Sequence, residues 1–209
     1  MNVLAIGAHY DDVELGVGGT ISKHVKNGDN VVIVVVTKSD YGDFNGKPLR
    51  STSQARKEGK AAANILGVER LVCLEFETKK VNYDVALIEV LNKLIEDLNI
   101  DTIYTHWDGD VHQDHSAIAK ATLNAARHVP RVLMYRSNWY HSTETFNDNF
   151  YSNISNHIEV KIESLKAHTT EYLRRGDEWI NFVRHQNRNC GITMGIGYAE
   201  SFEIVKWLI

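Results

Sequence analysis

The chain has 209 residues, of which 43% are hydrophobic and 24% are charged. This balance is typical of a globular protein with one well-buried core, and it excludes an intrinsically disordered chain. The formal net charge of −4 excludes a global basic surface of the kind that binds nucleic acid or anionic lipid. We therefore expect no nucleic-acid partner.

Neither a membrane segment nor a secretion signal is expected from the sequence. The longest apolar run, Val31–Val36, is too short to cross a bilayer. Met1 leads directly into a strand pattern, without the basic segment and cleavage site of a signal peptide. The two cysteines, Cys73 and Cys190, form no CxxC pair and are interpreted as reduced, buried thiols. These features predict a cytoplasmic protein without a membrane partner.

Strand and helix patterns alternate over the first two thirds of the chain. The β-branched run in Asn30–Thr37 is typical of a strand that is buried on both faces. Gly67 stands where a helix stop is expected. The predicted elements, in chain order, are a strand at Val3–Ala8, a helix at Val13–Lys26, a strand at Asn30–Thr37, a helix at Ser53–Leu66, a strand at Arg70–Phe76, a helix at Asp84–Leu98, a strand at Thr102–Trp107, a helix at His115–His128 and a strand at Arg131–Tyr135.

This alternation predicts a Rossmann-like, three-layer α/β/α sandwich around a mostly parallel sheet. Beyond Tyr135 the pattern is weaker, with one or two helices expected in Ile162–Val183 and a final strand in Tyr198–Leu208. No linker, internal repeat or low-complexity segment interrupts the sequence, so we expect a single domain over residues 1–209. In such folds ligands bind beyond the carboxyl ends of the strands.

Two clusters of His and Asp residues directly follow two of the predicted strands. His9–Glu14 has the sequence HYDDVE and follows the first strand, and Asp108–His115 has the sequence DGDVHQDH and follows the strand that ends at Trp107. Both clusters therefore fall at the carboxyl edge of the predicted sheet, where residues distant in sequence become neighbours.

The residue types in these clusters predict a catalytic metal site. Zinc in such sites has three protein ligands and one open position, and His9, Asp12 and His115 supply two imidazoles and one carboxylate. The ion lowers the pKa of a bound water to about 7 and polarises a carbonyl group, which suits hydrolysis of an amide. The same ligand set also accepts iron, cobalt or nickel.

The neighbouring residues supply the other groups that amide hydrolysis requires. Asp11, beside Asp12, is expected to act as the general base. His112 is expected to stabilise the oxyanion of the tetrahedral intermediate, with Asp114 orienting its imidazole. Asp110 is expected either to support a ligand or to cap the turn.

Each cluster alone has an ordinary interpretation, since Asp is common in turns and at helix N-caps. Two clusters at one sheet edge favour a metal site, because burying so many acids and imidazoles without a purpose is costly. The main alternative is a nucleotide-binding Rossmann-like module, since the glycine-rich segment Gly16–Gly19 opens a helix after a strand. Its spacing differs from G-x-G-x-x-G, and the adjacent acids disfavour a pyrophosphate. A metal-binding scaffold without catalysis is a third hypothesis.

The motifs resemble those of the LmbE-like, or PIG-L, N-deacetylase family. Ala8–Glu14 is similar to the signature Ala-His-Pro-Asp-Asp-Glu, and His112–His115 is similar to His-Pro-Asp-His. Two looser elements also match: the helix that opens with Arg56 and closes at Leu66-Gly67, and the segment Tyr198–Phe202, which is similar to Tyr-Ala-Glu-x-Phe. The resemblance spans nearly the whole chain in the family's order.

The resemblance implies a zinc-dependent hydrolase that removes an N-acetyl group from a small amino sugar or its conjugate. It implies Arg56 as a substrate contact near the metal. It assigns the same roles as the residue chemistry to the metal ligands, the base and the oxyanion group. Members of the family often assemble, so a homo-oligomer is also compatible with it. The absence of the N-terminal membrane span found in the eukaryotic branch argues against a glycolipid substrate.

Some positions depart from the family pattern. Tyr10 and Gln113 stand where the two signatures have proline, which puts the rigidity of the loops in doubt but not the mechanism. The turn-rich segment Asp40–Gly46 is interpreted either as a sugar-binding loop or as an exposed turn. Residues 139–190 are interpreted either as a lid or substrate wall, or as a solvated helix face or oligomer contact. Arg50 is interpreted as part of a solvated face.

Overall fold

The structure is a computed structural model that describes residues 1–209. Nine strands and six helices are present. The strands are β1 (Asn2–Gly7), β2 (Asn30–Thr37), β3 (Tyr41–Gly42), β4 (Pro48–Arg50), β5 (Arg70–Phe76), β6 (Thr102–His106), β7 (Arg131–Tyr135), β8 (Phe150–Asn153) and β9 (Ala199–Trp207). The helices are α1 (Asp12–Lys26), α2 (Thr52–Leu66), α3 (Val85–Asp97), α4 (Gln113–Ala125), α5 (Ile158–Lys166) and α6 (Thr169–Thr193).

Local sequence signals explain where several helices begin and end. The Ser51 side chain caps α2 by accepting a hydrogen bond from the backbone of Gln54, and Gly67 ends that helix with a φ of 80°. Asp84 caps α3 in the same way by accepting from the backbone of Leu87. The stop at Gly67 was predicted from the sequence, and the four helices predicted before Tyr135 agree with the observed ones to within a few residues.

Seven strands form one sheet in the order β5-β2-β1-β6-β7-β9-β8. The first five strands of this order are parallel, whereas β9 is antiparallel to both β7 and β8. The chain runs outward from β1 in one direction through β2 to β5, and β6 and β7 extend the sheet on the other side. The order therefore reverses between β1 and β6, which is the position where sheets of this kind bind ligands.

Helices cover both faces of the sheet and create two large hydrophobic clusters. Helices α1 and α2 pack on one face through residues such as Val17, Ile21 and Leu66. Helices α3 and α4 pack on the other face through residues such as Leu91 and Ile118. A third, smaller cluster joins α5 and α6 to the side of α1. The predicted three-layer sandwich with a mostly parallel sheet is confirmed.

The last third of the chain differs from the sequence prediction in detail. Two helices occupy this region, and α6 contains a kink at Gly176, whose φ is 69°. The short strands β3, β4 and β8 were not predicted, because two to four residues carry too little periodicity. No helix of the structure has the length and apolar character that a membrane crossing requires.

The Tyr-Ala-Glu-x-Phe element has a structural role at the start of β9. The Glu200 carboxylate, which is buried, accepts hydrogen bonds from the backbone N–H groups of Gly19 and Thr20 in α1. It also pairs with the buried Lys161 ammonium group of α5 at 2.6 Å. Glu200 thereby connects β9 to α1, whose N-terminus follows the first His and Asp cluster.

Candidate metal centre

The loops after β1 and β6 meet at the carboxyl edge of the sheet, since these two strands are parallel neighbours. His9 follows β1, Asp12 is the first residue of α1, and His115 lies in the first turn of α4. The structure thus brings together the three residues that the sequence predicts as metal ligands, although more than one hundred positions separate His9 from His115.

Three potential ligand atoms converge at one point. The distance from His9 Nδ1 to Asp12 Oδ2 is 3.3 Å, from His9 Nδ1 to His115 Nε2 is 3.3 Å, and from His115 Nε2 to Asp12 Oδ2 is 3.4 Å. A tetrahedral zinc ion with ligands at about 2.0–2.1 Å would separate them by about 3.3–3.4 Å. The arrangement therefore fits a divalent ion bound by two imidazoles and one carboxylate.

Each of the two imidazoles is oriented by a carboxylate on its other nitrogen. Asp114 Oδ2 lies 3.0 Å from His9 Nε2, and Asp110 Oδ2 lies 3.0 Å from His115 Nδ1. The Asn138 amide donates to both oxygens of Asp110. With a proton on each carboxylate-bound nitrogen, His9 Nδ1 and His115 Nε2 are left with lone pairs that point at the common centre. Such carboxylate–histidine pairs are typical of metal sites.

The position of Asp114 differs from its expected role of orienting His112. Its carboxylate contacts His9 instead, and it also accepts hydrogen bonds from the backbone N–H groups of Lys79 and Val81. The sequence could not reveal this, because the loop that carries Lys79 is far from the signature in the chain. Asp110 fulfils both roles considered for it, since it supports His115 and accepts from the backbone of His112.

We expect the Asp114→Asn variant to bind its metal about 10–100-fold more weakly than the wild type, since it removes the charge that orients His9. Competition titration against a chromophoric chelator measures this affinity. The matched control is Asp97→Asn, which removes an exposed ion pair with Lys93 on α3. Equal metal affinity in Asp114→Asn and the wild type would contradict the supporting role of this carboxylate.

The carboxylates around His9 and His115 favour a positive charge where the three ligand atoms converge, against the effect of burial. Burial by itself lowers the pKa of both His9 and His115. Hydrogen bonds that His9 donates to Asp114 and Asp12 outweigh burial and raise the pKa of His9 to about 9. The charge of Asp12 and the hydrogen bond that His115 donates to Asp110 likewise raise the pKa of His115 to about 10. The surrounding carboxylates thus stabilise a cation at the centre of the cluster.

Two further imidazoles lie beside the converging atoms. His106, at the end of β6, is fully buried and stacks on His115 with ring centroids 4.0 Å apart. Its Nε2 accepts a hydrogen bond of 2.8 Å from the backbone N–H of Ala8, so the lone pair that faces the cluster is already engaged. Burial, together with the nearby His115, lowers the pKa of His106 to about 4. His106 Nε2 also lies 3.3 Å from Asp12 Oδ2, so Asp12, His106 and His115 form a second group that could hold an ion, but the Ala8 N–H already engages this nitrogen.

His112 is the N-cap residue of α4, and its Nδ1 accepts a hydrogen bond from the backbone N–H of Asp114. The ring proton consequently resides on Nε2. The ring is only partly buried and lies 4.9 Å from the His9 ring and 4.4 Å from the His115 ring, measured between centroids. Burial and these two imidazoles lower the pKa of His112 to about 4. A neutral N–H donor thus stands beside the three ligand atoms.

Asp11 has an unusual backbone conformation at the N-cap position of α1. Its φ is 121°, a region that non-glycine residues rarely adopt, and its side chain makes no capping hydrogen bond. Burial and the Asp12 carboxylate raise the pKa of Asp11 to about 7, whereas the nearby His168 and Arg50 counteract this rise. The Asp11 carboxylate, which follows the candidate ligand His9 by two positions, is not engaged in capping α1.

The two arginines considered in the sequence occupy unexpected surroundings. Arg56 pairs with Glu75 on the surface and lines an open pocket together with Tyr10 and Cys73. Arg50 is only 4% exposed, so its interpretation as part of a solvated face is wrong. The hairpin of β3 and β4, which the sequence did not predict, turns Arg50 inward toward the loop that carries Asp11.

The β3–β4 hairpin and the loop after β7 both contact α6. The Tyr41 hydroxyl donates a hydrogen bond to the buried Glu171 carboxylate at the start of α6. Trp139 packs edge-on against Phe182 of α6, at 5.0 Å between ring centroids. A cavity of about 240 Å³ is lined by Trp139 and Asn187 among other residues, none of which belongs to the cluster of His9, Asp12 and His115. The segments 40–46 and 139–190 thus contact each other through Tyr41 and Glu171, and their roles stay predictions.

The glycine-rich segment in α1 serves close packing. A β-carbon on Gly16 would overlap the ring of Tyr135, and one on Gly19 would lie 2.9 Å from atoms of Ile154. The glycines therefore let α1 approach Tyr135 and Ile154 closely, and these contacts give no support to a dinucleotide-binding turn.

The family model described as PIG-L, GlcNAc-PI de-N-acetylase, matches residues 4–126 of the chain. This range contains the whole candidate metal centre and more than half of the sequence. The chain belongs to this PIG-L family. The recognition of the family from its two signatures is confirmed.

Similar proteins support this assignment. The "Uncharacterized deacetylase YaiS" of Escherichia coli (strain K12) is 30% identical over 175 residues, covering 79% of this chain and 89% of the relative. The "Probable N-acetyl-alpha-D-glucosaminyl L-malate deacetylase 2" of Bacillus anthracis is 26% identical over 192 residues, covering 85% of this chain and 84% of the relative. The solved N,N'-diacetylchitobiose deacetylase from Pyrococcus horikoshii has a TM-score of 0.81 at 21% identity, covering 97% and 83% of the two chains.

These relatives are deacetylases, which are hydrolases of amide bonds. The prediction that this member of the PIG-L family is an enzyme of that class is confirmed. The nucleotide-binding alternative is not favoured by any of them.

Proposed function

We propose that this chain is a zinc-dependent N-deacetylase that removes an acetyl group from an amino sugar or its conjugate. One observation carries the proposal: His9 Nδ1, Asp12 Oδ2 and His115 Nε2 lie 3.3–3.4 Å from one another. In this proposal they are the three protein ligands of the ion. Iron, cobalt or nickel would be compatible with the same donors.

When bound, a divalent ion supplies Lewis acidity, which polarises the amide carbonyl and makes a water molecule acidic enough to attack it at neutral pH. The ligand residues contribute by holding their donor atoms in place. Asp114 and Asp110 fix the tautomers of His9 and His115 through the contacts on their distal nitrogens.

Asp11 is proposed as the general base. Its carboxylate is adjacent in sequence to the ligand Asp12 and is not engaged in capping α1. It accepts a proton from the attacking water and transfers that proton to the departing amine, so the acetyl group leaves as acetate and the sugar retains a free amine. Attack of the water forms the new C–O bond and gives a tetrahedral intermediate, whose collapse breaks the C–N bond. The proton taken up by Asp11 goes to the departing nitrogen, and the second proton of the water follows it, so that acetate and a protonated amine are the products.

His112 is proposed as the oxyanion donor. Because its Nδ1 accepts from the backbone of Asp114, its Nε2–H is free to donate to the negatively charged oxygen of the tetrahedral intermediate.

We expect His112→Ala to lower kcat about 10²–10³-fold while the metal content stays unchanged, because the ring is not among the three proposed ligands. Steady-state kinetics and metal analysis of the same preparation measure the two quantities.

The substrate is proposed to be a small N-acetylated amino sugar. Relatives with sequence or structural similarity are named for deacetylation of N-acetylglucosaminyl malate and diacetylchitobiose. Arg56 is proposed as a substrate contact on the basis of the family resemblance. Its ion pair with Glu75 would have to exchange for a substrate hydroxyl or carboxylate. The whole of residues 1–209 is proposed to act as one catalytic domain.

The proposal is tested by incubating zinc-loaded protein with a panel of N-acetylated sugars, including a monosaccharide, a disaccharide and a glycoside with an acidic aglycone. Release of free amine and of acetate in equal amounts supports it. A thermal-shift screen with zinc, NAD and nucleoside phosphates addresses the alternative. Stabilisation by a dinucleotide but not by a divalent metal, with no amine released, would refute the deacetylase proposal.

A further inference from the structure

Hydrogen bonds to both peptide groups that flank Tyr10 fix the loop between His9 and Asp12. The Tyr10 N–H donates to the Ser39 hydroxyl at 3.0 Å, and the Tyr10 carbonyl accepts from Arg50 Nη1 at 3.1 Å. The Tyr10 ring is buried against α2, where a β-carbon on Gly59 would overlap it. The chain thus has three specific contacts at the position where the family signature has proline.

Arg50 connects this loop to two other parts of the fold. Its Nη2 lies 3.1 Å from Glu58 Oε2 on α2 and 3.4 Å from Nδ1 of His168, the N-cap residue of α6. All three side chains are at least 96% buried. A buried arginine retains its charge and needs partners, and here one partner is the backbone carbonyl that immediately precedes Asp11.

That carbonyl belongs to the peptide group that determines the φ of Asp11. A φ of 121° is unfavourable for an aspartate, and such conformations persist only where the surroundings enforce them. Rotation about the N–Cα bond of Asp11 would move the Tyr10 carbonyl away from Arg50. The hydrogen bond therefore opposes relaxation of Asp11 toward an ordinary N-cap conformation, in which its carboxylate would accept from the first turn of α1.

We propose that Arg50 is a positioning residue that acts through the Tyr10 carbonyl to hold Asp11 in its strained conformation, with the carboxylate free for proton transfer. This inference rests on the proposed role of Asp11 as the base. The family's proline stiffens this loop by fixing its own backbone, whereas in this chain Arg50 and Ser39 supply the restraint from outside the loop.

Kinetics of Arg50→Met and Arg50→Lys in zinc-loaded protein test the proposal. We expect Arg50→Met to lower kcat about 100-fold, because a small displacement of a catalytic group has effects of this size. KM and metal content should stay close to those of the wild type, and Arg50→Lys should recover part of the lost rate. Arg131→Met is the matched control, since Arg131 forms a partly buried ion pair with Asp101 at the opposite end of the strands.

Hydrogen–deuterium exchange provides a readout that does not depend on activity. Arg50→Met should accelerate exchange at residues 8–12 selectively, and Arg131→Met should not. If Arg50→Met fails to fold because the Glu58 charge loses its ion pair, Arg50→Met/Glu58→Gln serves instead, since it removes both buried charges and keeps an acceptor for the hydrogen bonds from Thr169 and Thr170. An unchanged kcat, or faster exchange throughout the protein rather than in this loop, would overturn the proposal. If Arg50→Met accelerates exchange in this loop but the zinc-loaded wild type deacetylates no sugar, Arg50 anchors the loop and the proposed function is rejected.

Discussion

We expect Asp11→Asn to lower kcat about 10²–10⁴-fold while the protein keeps its full metal content. Asparagine has nearly the same shape as aspartate but cannot accept the proton of the attacking water. The proposed ligands His9, Asp12 and His115 are unchanged by the substitution, and the Asp11 side chain makes no hydrogen bond whose loss would unfold α1. The substitution should therefore lower kcat and change KM only slightly.

The measurement is steady-state release of free amine, combined with metal analysis by plasma mass spectrometry on the same sample. Asp108→Asn is a suitable control, because Asp108 stands at the start of the second cluster but contributes only its backbone carbonyl to a hydrogen bond, with Ser116. A variant at position 11 with near-native kcat would exclude Asp11 as the base. A variant that has lost its metal would show that Asp11 belongs to the ligand set.

Removal of the metal should have the largest effect of all. We expect dialysis against a chelator to abolish activity and a stoichiometric addition of zinc to restore it. His115→Ala should abolish activity without such restoration, because one of three protein ligands is lost and the remaining two bind a divalent ion weakly. Activity assays across a zinc titration measure both effects.

His128→Ala is the control for the loss of an imidazole, since His128 is exposed at the end of the turn that follows α4. It should retain wild-type activity and zinc dependence. Full activity of the chelated wild type would refute the metal-dependent mechanism. If zinc restores the activity of His115→Ala at the concentrations that suffice for the wild type, another side chain, such as His112 or His106, replaces the missing ligand.

The central part of the fold could be predicted because its signals are local and strong. The run of valines in Asn30–Thr37 and the helix stop at Gly67 each define an element without reference to the rest of the chain. The alternation of strands and helices then predicts a mostly parallel sheet with right-handed connections, but it does not determine the order of the strands. The β3–β4 hairpin and β8 escaped prediction, since their strands have only two to four residues and are stabilised by tertiary contacts such as that of Tyr41 with Glu171.

The residues of the candidate site divide in the same way. His9, Asp12 and His115 could be anticipated, because ligand chemistry and position at strand ends are both readable in the sequence. The contacts that orient them could not be anticipated, since they depend on side chains from separate loops, as Asp114 with His9 and Asn138 with Asp110. Arg50 was missed for a further reason. Its burial depends on a hairpin that the sequence did not reveal.

The decisive measurement is a crystal structure of the zinc-loaded protein with data collected on both sides of the zinc absorption edge. We expect a single anomalous peak within about 2.0–2.2 Å of His9 Nδ1, Asp12 Oδ2 and His115 Nε2. A peak bound elsewhere, or no peak in protein that is active, would contradict the assignment of these three residues as the metal site.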